Sequence, residues 1–150
     1  MKKTLLVLIA IVFTVTACEK QTYVDGTYTA TFDEPHFGWT DYVSFTLTED
    51  VISDVDFDAV NDAGDLKSTD SAYNANMLEN TTGTPTNPET YMPQIEAAIS
   101  NTAIVPEYEP IDAISGATSA SENANALMEA ALNAAVDGEP TDVVISYPEE

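Results

Sequence analysis

Polar and apolar positions alternate along the first third of the chain. "GTYTATF" sets Tyr28, Ala30 and Phe32 against threonines, and "DYVSFTLT" sets Val43, Phe45 and Leu47 against Ser44 and Thr46. "VISDVDFDAV" sets Val51, Val55 and Phe57 against Asp54, Asp56 and Asp58. Period-two alternation with one polar face predicts three strands of an antiparallel sheet covered on one side. Glu49-Asp50 is short enough to be a hairpin turn between the second and third strands. "DEPHFGW", between the first two, is a loop with the only His and the only Trp, His36 and Trp39.

The period then lengthens. "STDSAYNANMLEN" predicts a short helix with Tyr73, Met77 and Leu78 on one side, and "TTGTPTNP" a loop. "TYMPQIEAAISNT" predicts a helix capped by Thr90, which puts Pro93 in the first turn, where its missing N–H costs nothing. A third helix runs from about Ala120 to Val136, with Leu127, Met128, Ala131, Leu132 and Ala135 as its buried stripe and Gly138 and Pro140 as its stop. "DVVISY" is a final strand. The fold class expected is α+β, a small antiparallel sheet with helices packed on one face.

Residues 1–17 read differently. Two lysines, an apolar run from Leu5 to Val15 and small residues up to Cys18 make a signal peptide, too short for a comfortable membrane span. Val15-Thr16-Ala17-Cys18 resembles a lipobox, which makes Cys18 the lipidation site and residues 18–25 a tether; the alternative is an ordinary signal peptide beside an unrelated cysteine. From Glu19 to Asp25 the tether reaches about 25 Å at roughly 3.5 Å per residue. That holds domain 26–150 close to the outer face of the cytoplasmic membrane. Cys18 is the only cysteine, so no disulfide forms within the chain. Without Lys2 and Lys3, two lysines face 26 acidic residues, a formal charge of −24 (2 − 26). Such a surface repels nucleic acid, and that class of partner is excluded.

Chemistry concentrates in Ser115-Gly116-Ala117-Thr118-Ser119. Ser119 and Glu122 have the spacing of a capping box, so the helix N-terminus points its free N–H groups at Thr118. Gly116 permits a tight turn and Ala117 keeps bulk low, which together suit a phosphate. A well-capped helix after a glycine turn explains the same spacing.

"Asp112-Ala113-Ile114-Ser115-Gly116-Ala117-Thr118-Ser119" resembles the flavinylation motif of the bacterial FMN-binding domain family, and "DGTYTATF" is similar to that family's first strand. Residues 37–77 look like its Gram-positive extracellular lipoprotein branch, some members of which release pheromone peptides from their signal sequences. The resemblance spans roughly residues 25–135. It departs at the turn Glu49-Asp50, which lacks the family's usual glycine.

The resemblance implies FMN joined through its phosphate to the hydroxyl of Thr118 by a dedicated FMN transferase. Backbone amides of Gly116, Ala117 and Ser119 would hold the phosphate, and Asp112 would present the threonine or simply form the turn. Electrons would pass from a quinol- or NADH-linked membrane donor to an external acceptor, with the flavin as the redox group. Trp39 and Phe37, or Tyr73 and Met77, are candidates to stack on the ring; core packing explains each equally. Lys67 could neutralise the phosphate or a reduced flavin, or stand on the surface. Surrounding negative charge implies a low potential. Two other readings remain open, reversible binding of a phosphate-bearing ligand and a signal peptide released near "AIVFTVTA".

Asp54, Asp56, Asp58, Asp62 and Asp65 suggest a calcium loop. Their spacing lacks the sixth-position glycine, places Asn61 where an apolar residue belongs and ends in Asp. His36 has no second histidine or cysteine to share a metal with, and no nucleophile–histidine–acid set occurs. Neither a metal site nor a hydrolase is expected.

Overall fold

The computed structural model describes residues 22–148 except residue 106. The segment expected to be a signal peptide, Cys18 and most of the expected tether lie outside the described residues. Strands β1 (Gly26–Phe32), β2 (Thr40–Thr48) and β3 (Val51–Val60) are followed by a 3-10 turn, Lys67–Thr69. Helices α1 (Ser71–Asn80), α2 (Pro88–Ser100) and α3 (Thr118–Asp137) precede strand β4 (Asp142–Ile145). The strands form one sheet in the order β3-β2-β1-β4. Tyr28, Ala30, Phe32, Val43, Phe45 and Leu47 point into the core, as their alternation requires. The helices cover that side, with α3 against β1 and β2 and α2 against β3. The α+β class is therefore observed. On the other side the hydroxyls make their own ladder: Thr29 Oγ1 donates to Ser44 Oγ at 3.2 Å.

The sheet is mixed rather than wholly antiparallel. β4 runs parallel to β1, pairing Ala30 with Val143, because the chain returns through α3, a crossover long enough to restore the direction. β3 also departs from simple alternation. Asp54 has φ 51° and the register shifts opposite Ser44 and Thr46, a bulge that reverses which residues face inward. Ile52 is consequently buried and Val51 is 62 % exposed, the reverse of the expected order. Asp58 was expected in solvent and is instead covered by the 3-10 turn. Its carboxylate accepts from Ser68 N at 3.1 Å and forms a very short bond with the Ser68 hydroxyl.

The Glu49-Asp50 hairpin forms without glycine, and both residues are left-handed, at φ 51° and 62°. In α1, Asp70 is the N-cap, accepting from Tyr73 N at 2.9 Å; Tyr73 and Met77 pack on the core while Leu78 is exposed. Helix α2 starts earlier than predicted. Asn87 is its N-cap, accepting from Thr90 N at 3.0 Å, and Pro88 occupies the first turn. Thr90 is thus inside the helix, and so is Pro93. Helix α3 buries the expected stripe and ends at Gly138, which is left-handed at φ 77°. Burial of Leu127, Met128 and Leu132 contributes about 1.5–3 kcal/mol each. Among the described residues no helix is long and apolar enough to cross a membrane.

Candidate functional site

Ser115 and Gly116 form the middle of a turn in which Ala117 N donates to Ile114 O at 2.8 Å. Gly116 has φ 79°, a conformation the third residue of such a turn takes readily only as glycine. The close approach here is by the chain itself. A Cβ on Gly116 would lie 2.8 Å from Thr86 Cγ2 and 2.9 Å from the Thr84 carbonyl oxygen.

The expected capping box is absent. Ala117 is the N-cap of α3 and no side chain caps the helix. Ser121 ties the turn to the helix instead, donating to Ala117 O at 2.9 Å and accepting from Ile114 N at 3.0 Å. Ser121 is 1 % exposed, so both bonds are shielded from water. Helix α3 therefore begins at Thr118, and the N–H groups of Thr118, Ser119 and Ala120 have no acceptor within it.

Those three residues form part of the wall of a cavity of about 490 Å³ between α3, α2 and the 36–41 segment. That volume falls in the range typical of small-molecule sites, about 300–1,000 Å³. Lys67, Tyr73, Met77, Gly116, Ala117, Thr118 and Ser119 are brought together here. Asp58 and the buried Asn74 secure the Lys67 turn; Asn74 Nδ2 donates to Ser68 O at 2.9 Å. Lys67 Nζ sits 5.1 Å from the centre of the Tyr73 ring.

Three predicted residues lie elsewhere. Ser115 turns away from the cavity and donates to Thr84 Oγ1 at 3.3 Å. Asp112 lines a separate surface depression with Ala103 and Glu109. Trp39 is 7 % exposed and does not line the cavity; its ring meets Tyr73 edge-on at 5.7 Å and so backs the wall. Among the described residues no group of three His, Cys, Asp or Glu is placed to hold a metal.

Several wall residues had escaped the sequence reading. Tyr91, Asp41, Asn123 and Tyr147 line the cavity with His36 and Phe37. Asn123 Nδ2 donates to Asp41 Oδ2 at 2.6 Å and to the Tyr147 hydroxyl oxygen at 3.0 Å, and Tyr147 pairs with His36 Nδ1 at 3.0 Å. Burial raises the Asp41 carboxyl above its usual range, while the Asn123 bond and the charges of Lys67 and His36 pull it back. The Tyr91 hydroxyl is pushed well up, by burial first and then by Tyr73, Asp41 and Asp58. Tyr91 stands in a segment whose pattern predicts a helix and says nothing about a site. Asp41 and Asn123 carry no local signal, since 82 positions separate them.

The arrangement is a half-open aromatic cavity with one lysine and a free helix N-terminus, suited to a planar ring bearing an anionic tail. No family model and no curated protein matches the chain. Its fold is similar to the crystal structure of the CPE2226 protein from Clostridium perfringens. The TM-score is 0.72 and the identity 24 %, over 85 % of this chain and all of that one. At that identity the likeness shows the fold alone.

Proposed function

We propose that the protein is an exported electron carrier that holds FMN covalently through a phosphoester to Thr118. The observation that carries this reading is the position of Thr118. It is the first residue of α3, it is exposed, and it shares a cavity with Lys67 and the rings of Tyr73 and Tyr91. A phosphate on its oxygen would meet the free N–H groups of the first turn and the positive end of the helix dipole. In a chain of net charge −22 such a location is rare, because the charged surface elsewhere repels phosphate.

When bound, the flavin would supply the redox chemistry, and the residues of this chain would do the rest. Gly116 allows the turn that sets Thr118 at the cavity, and Ser121 fixes that turn. Lys67 supplies the positive charge nearest the aromatic wall. The acidic surroundings favour a low potential. A lipid on Cys18 would keep the carrier beside a membrane donor, and an FMN transferase would load it. Supporting the reading is the eight-residue motif at 112–119, together with a cavity of suitable size behind it.

The test is co-production of the mature chain and its Thr118→Ala variant with an FMN transferase. Wild type is expected to fluoresce in a denaturing gel and the variant to stay dark. If both are dark, the site binds a phosphate-bearing ligand reversibly or is only a helix start.

A further inference from the structure

The segment His36–Trp39 is a two-residue hairpin in which His36 N donates to Trp39 O at 2.8 Å and Trp39 N to His36 O at 3.1 Å. Its central residues, Phe37 and Gly38, are both left-handed, at φ 52° and 83°. A turn with two left-handed residues is formed most easily by Asn-Gly. Glycine occupies the second position, yet the first holds a bulky aromatic, which is uncommon with positive φ. Packing within the chain does not repay the strain, because Phe37 is 85 % exposed. It nevertheless lines the cavity.

Phe37 is the outer end of a column of rings. Its centroid is 4.1 Å from that of His36; His36 is 4.6 Å from Tyr147, and Tyr147 is 4.8 Å from Phe32. Phe32 is 2 % exposed, so the inner end is fixed in the core. Tyr147 is held by its bond to His36 and by Asp33 Oδ1, which accepts from Tyr147 N at 3.2 Å. The column props Phe37 at the cavity from behind and leaves its outer side uncovered.

We infer that Phe37 is the stacking surface for the planar ring of the cavity's ligand, a residue that sets affinity for an aromatic group at the mouth. The inference rests on the FMN reading for the identity of the ring, and not for the stacking surface itself. A ligand ring continues the column by one member and covers the exposed face of Phe37. The strained backbone is then explained by binding.

The experiment compares mature wild type, Phe37→Asn and the conservative Phe37→Tyr. Each is produced without transferase, titrated with FMN and melted without ligand. Asparagine suits the left-handed position, so the empty variant should melt no lower than wild type. FMN binding should weaken by roughly five- to a hundredfold, the range for losing one ring stack, and Phe37→Tyr should restore it. Equal affinity in wild type and Phe37→Asn overturns the inference. If FMN binds only covalently, flavin emission of the loaded chains decides: a brighter Phe37→Asn supports stacking, and equal emission refutes it. A wild type that takes up FMN neither way defeats both readings. Reversible binding that depends on Phe37 without covalent loading defeats only the phosphoester.

Discussion

Replacing Gly116 by alanine tests whether the turn before α3 is dictated by the chain's own packing. Two costs add. A left-handed alanine at φ 79° costs about 1–2 kcal/mol. Its Cβ would also lie 2.9 Å from the Thr84 carbonyl oxygen, a backbone atom, and 2.8 Å from Thr86 Cγ2. Thr86 is 4 % exposed and has little room to swing aside. Overpacking of that kind costs about 1–3 kcal/mol, so Gly116→Ala should lose about 2–5 kcal/mol in total. Gly64→Ala is the internal reference, since Gly64 has φ 86° and nothing within 4 Å of the added Cβ. It should lose only the backbone share, about 1–2 kcal/mol. Urea unfolding followed by the emission of buried Trp39, the only tryptophan, reads both variants. Gly116→Ala should fall below Gly64→Ala by at least about 1 kcal/mol. Equal losses would refute the close approach of the 84–86 loop.

Three further predictions address the turn, the hairpin and the cavity charge. Ser121→Ala should cost about 1–2 kcal/mol in the same assay and reduce FMN loading, while Ser119→Ala should stay within about 0.5 kcal/mol, because Ser121 and not Ser119 ties the turn. Equal effects would restore the capping box. Glu49→Asn should raise stability by roughly 0.5–1 kcal/mol by accepting the left-handed conformation at φ 51°, and an unchanged urea midpoint would count against that geometry. Burial lifts Asp41 above its ordinary 3.8, so the folded chain retains a proton there that the unfolded chain has already released. The resulting stability is fully present below 3.8 and is lost as pH rises through the folded value. Asp41→Asn should therefore melt higher than wild type near pH 7, with the advantage shrinking as pH falls toward 3.8; a constant difference at all pH values would contradict this.

Local rules explain what was legible in the sequence. The alternation of Tyr28, Ala30 and Phe32, and of Val43, Phe45 and Leu47, placed β1 and β2, because one face of each is buried. The stripe of α3 and its stop at Gly138 followed from periodicity and from glycine's left-handed freedom. Features that depend on distant residues were not legible. The bulge at Asp54 is a choice made between two strands, and it inverted Val51 and Ile52. Asp58 looked like a solvent-facing aspartate until the Lys67–Thr69 turn closed over it. Asn87-Pro88 is a readable helix start that Thr90 obscured. For the site, the motif located the helix N-terminus, whereas the opposite wall of Asp41, Asn123 and Tyr147 assembles only when β2, α3 and the segment after β4 meet.

The phosphoester at Thr118 is the central claim, and peptide mass spectrometry of the transferase-loaded chain tests it most directly. Cleavage at glutamate gives a fragment between Glu107 and Glu122 that holds Ser115, Thr118, Ser119 and Ser121 together. This fragment should gain the mass of FMN less one water, with fragmentation placing the addition on Thr118. An addition on another hydroxyl, or an unmodified fragment from a fully active transferase, would contradict it.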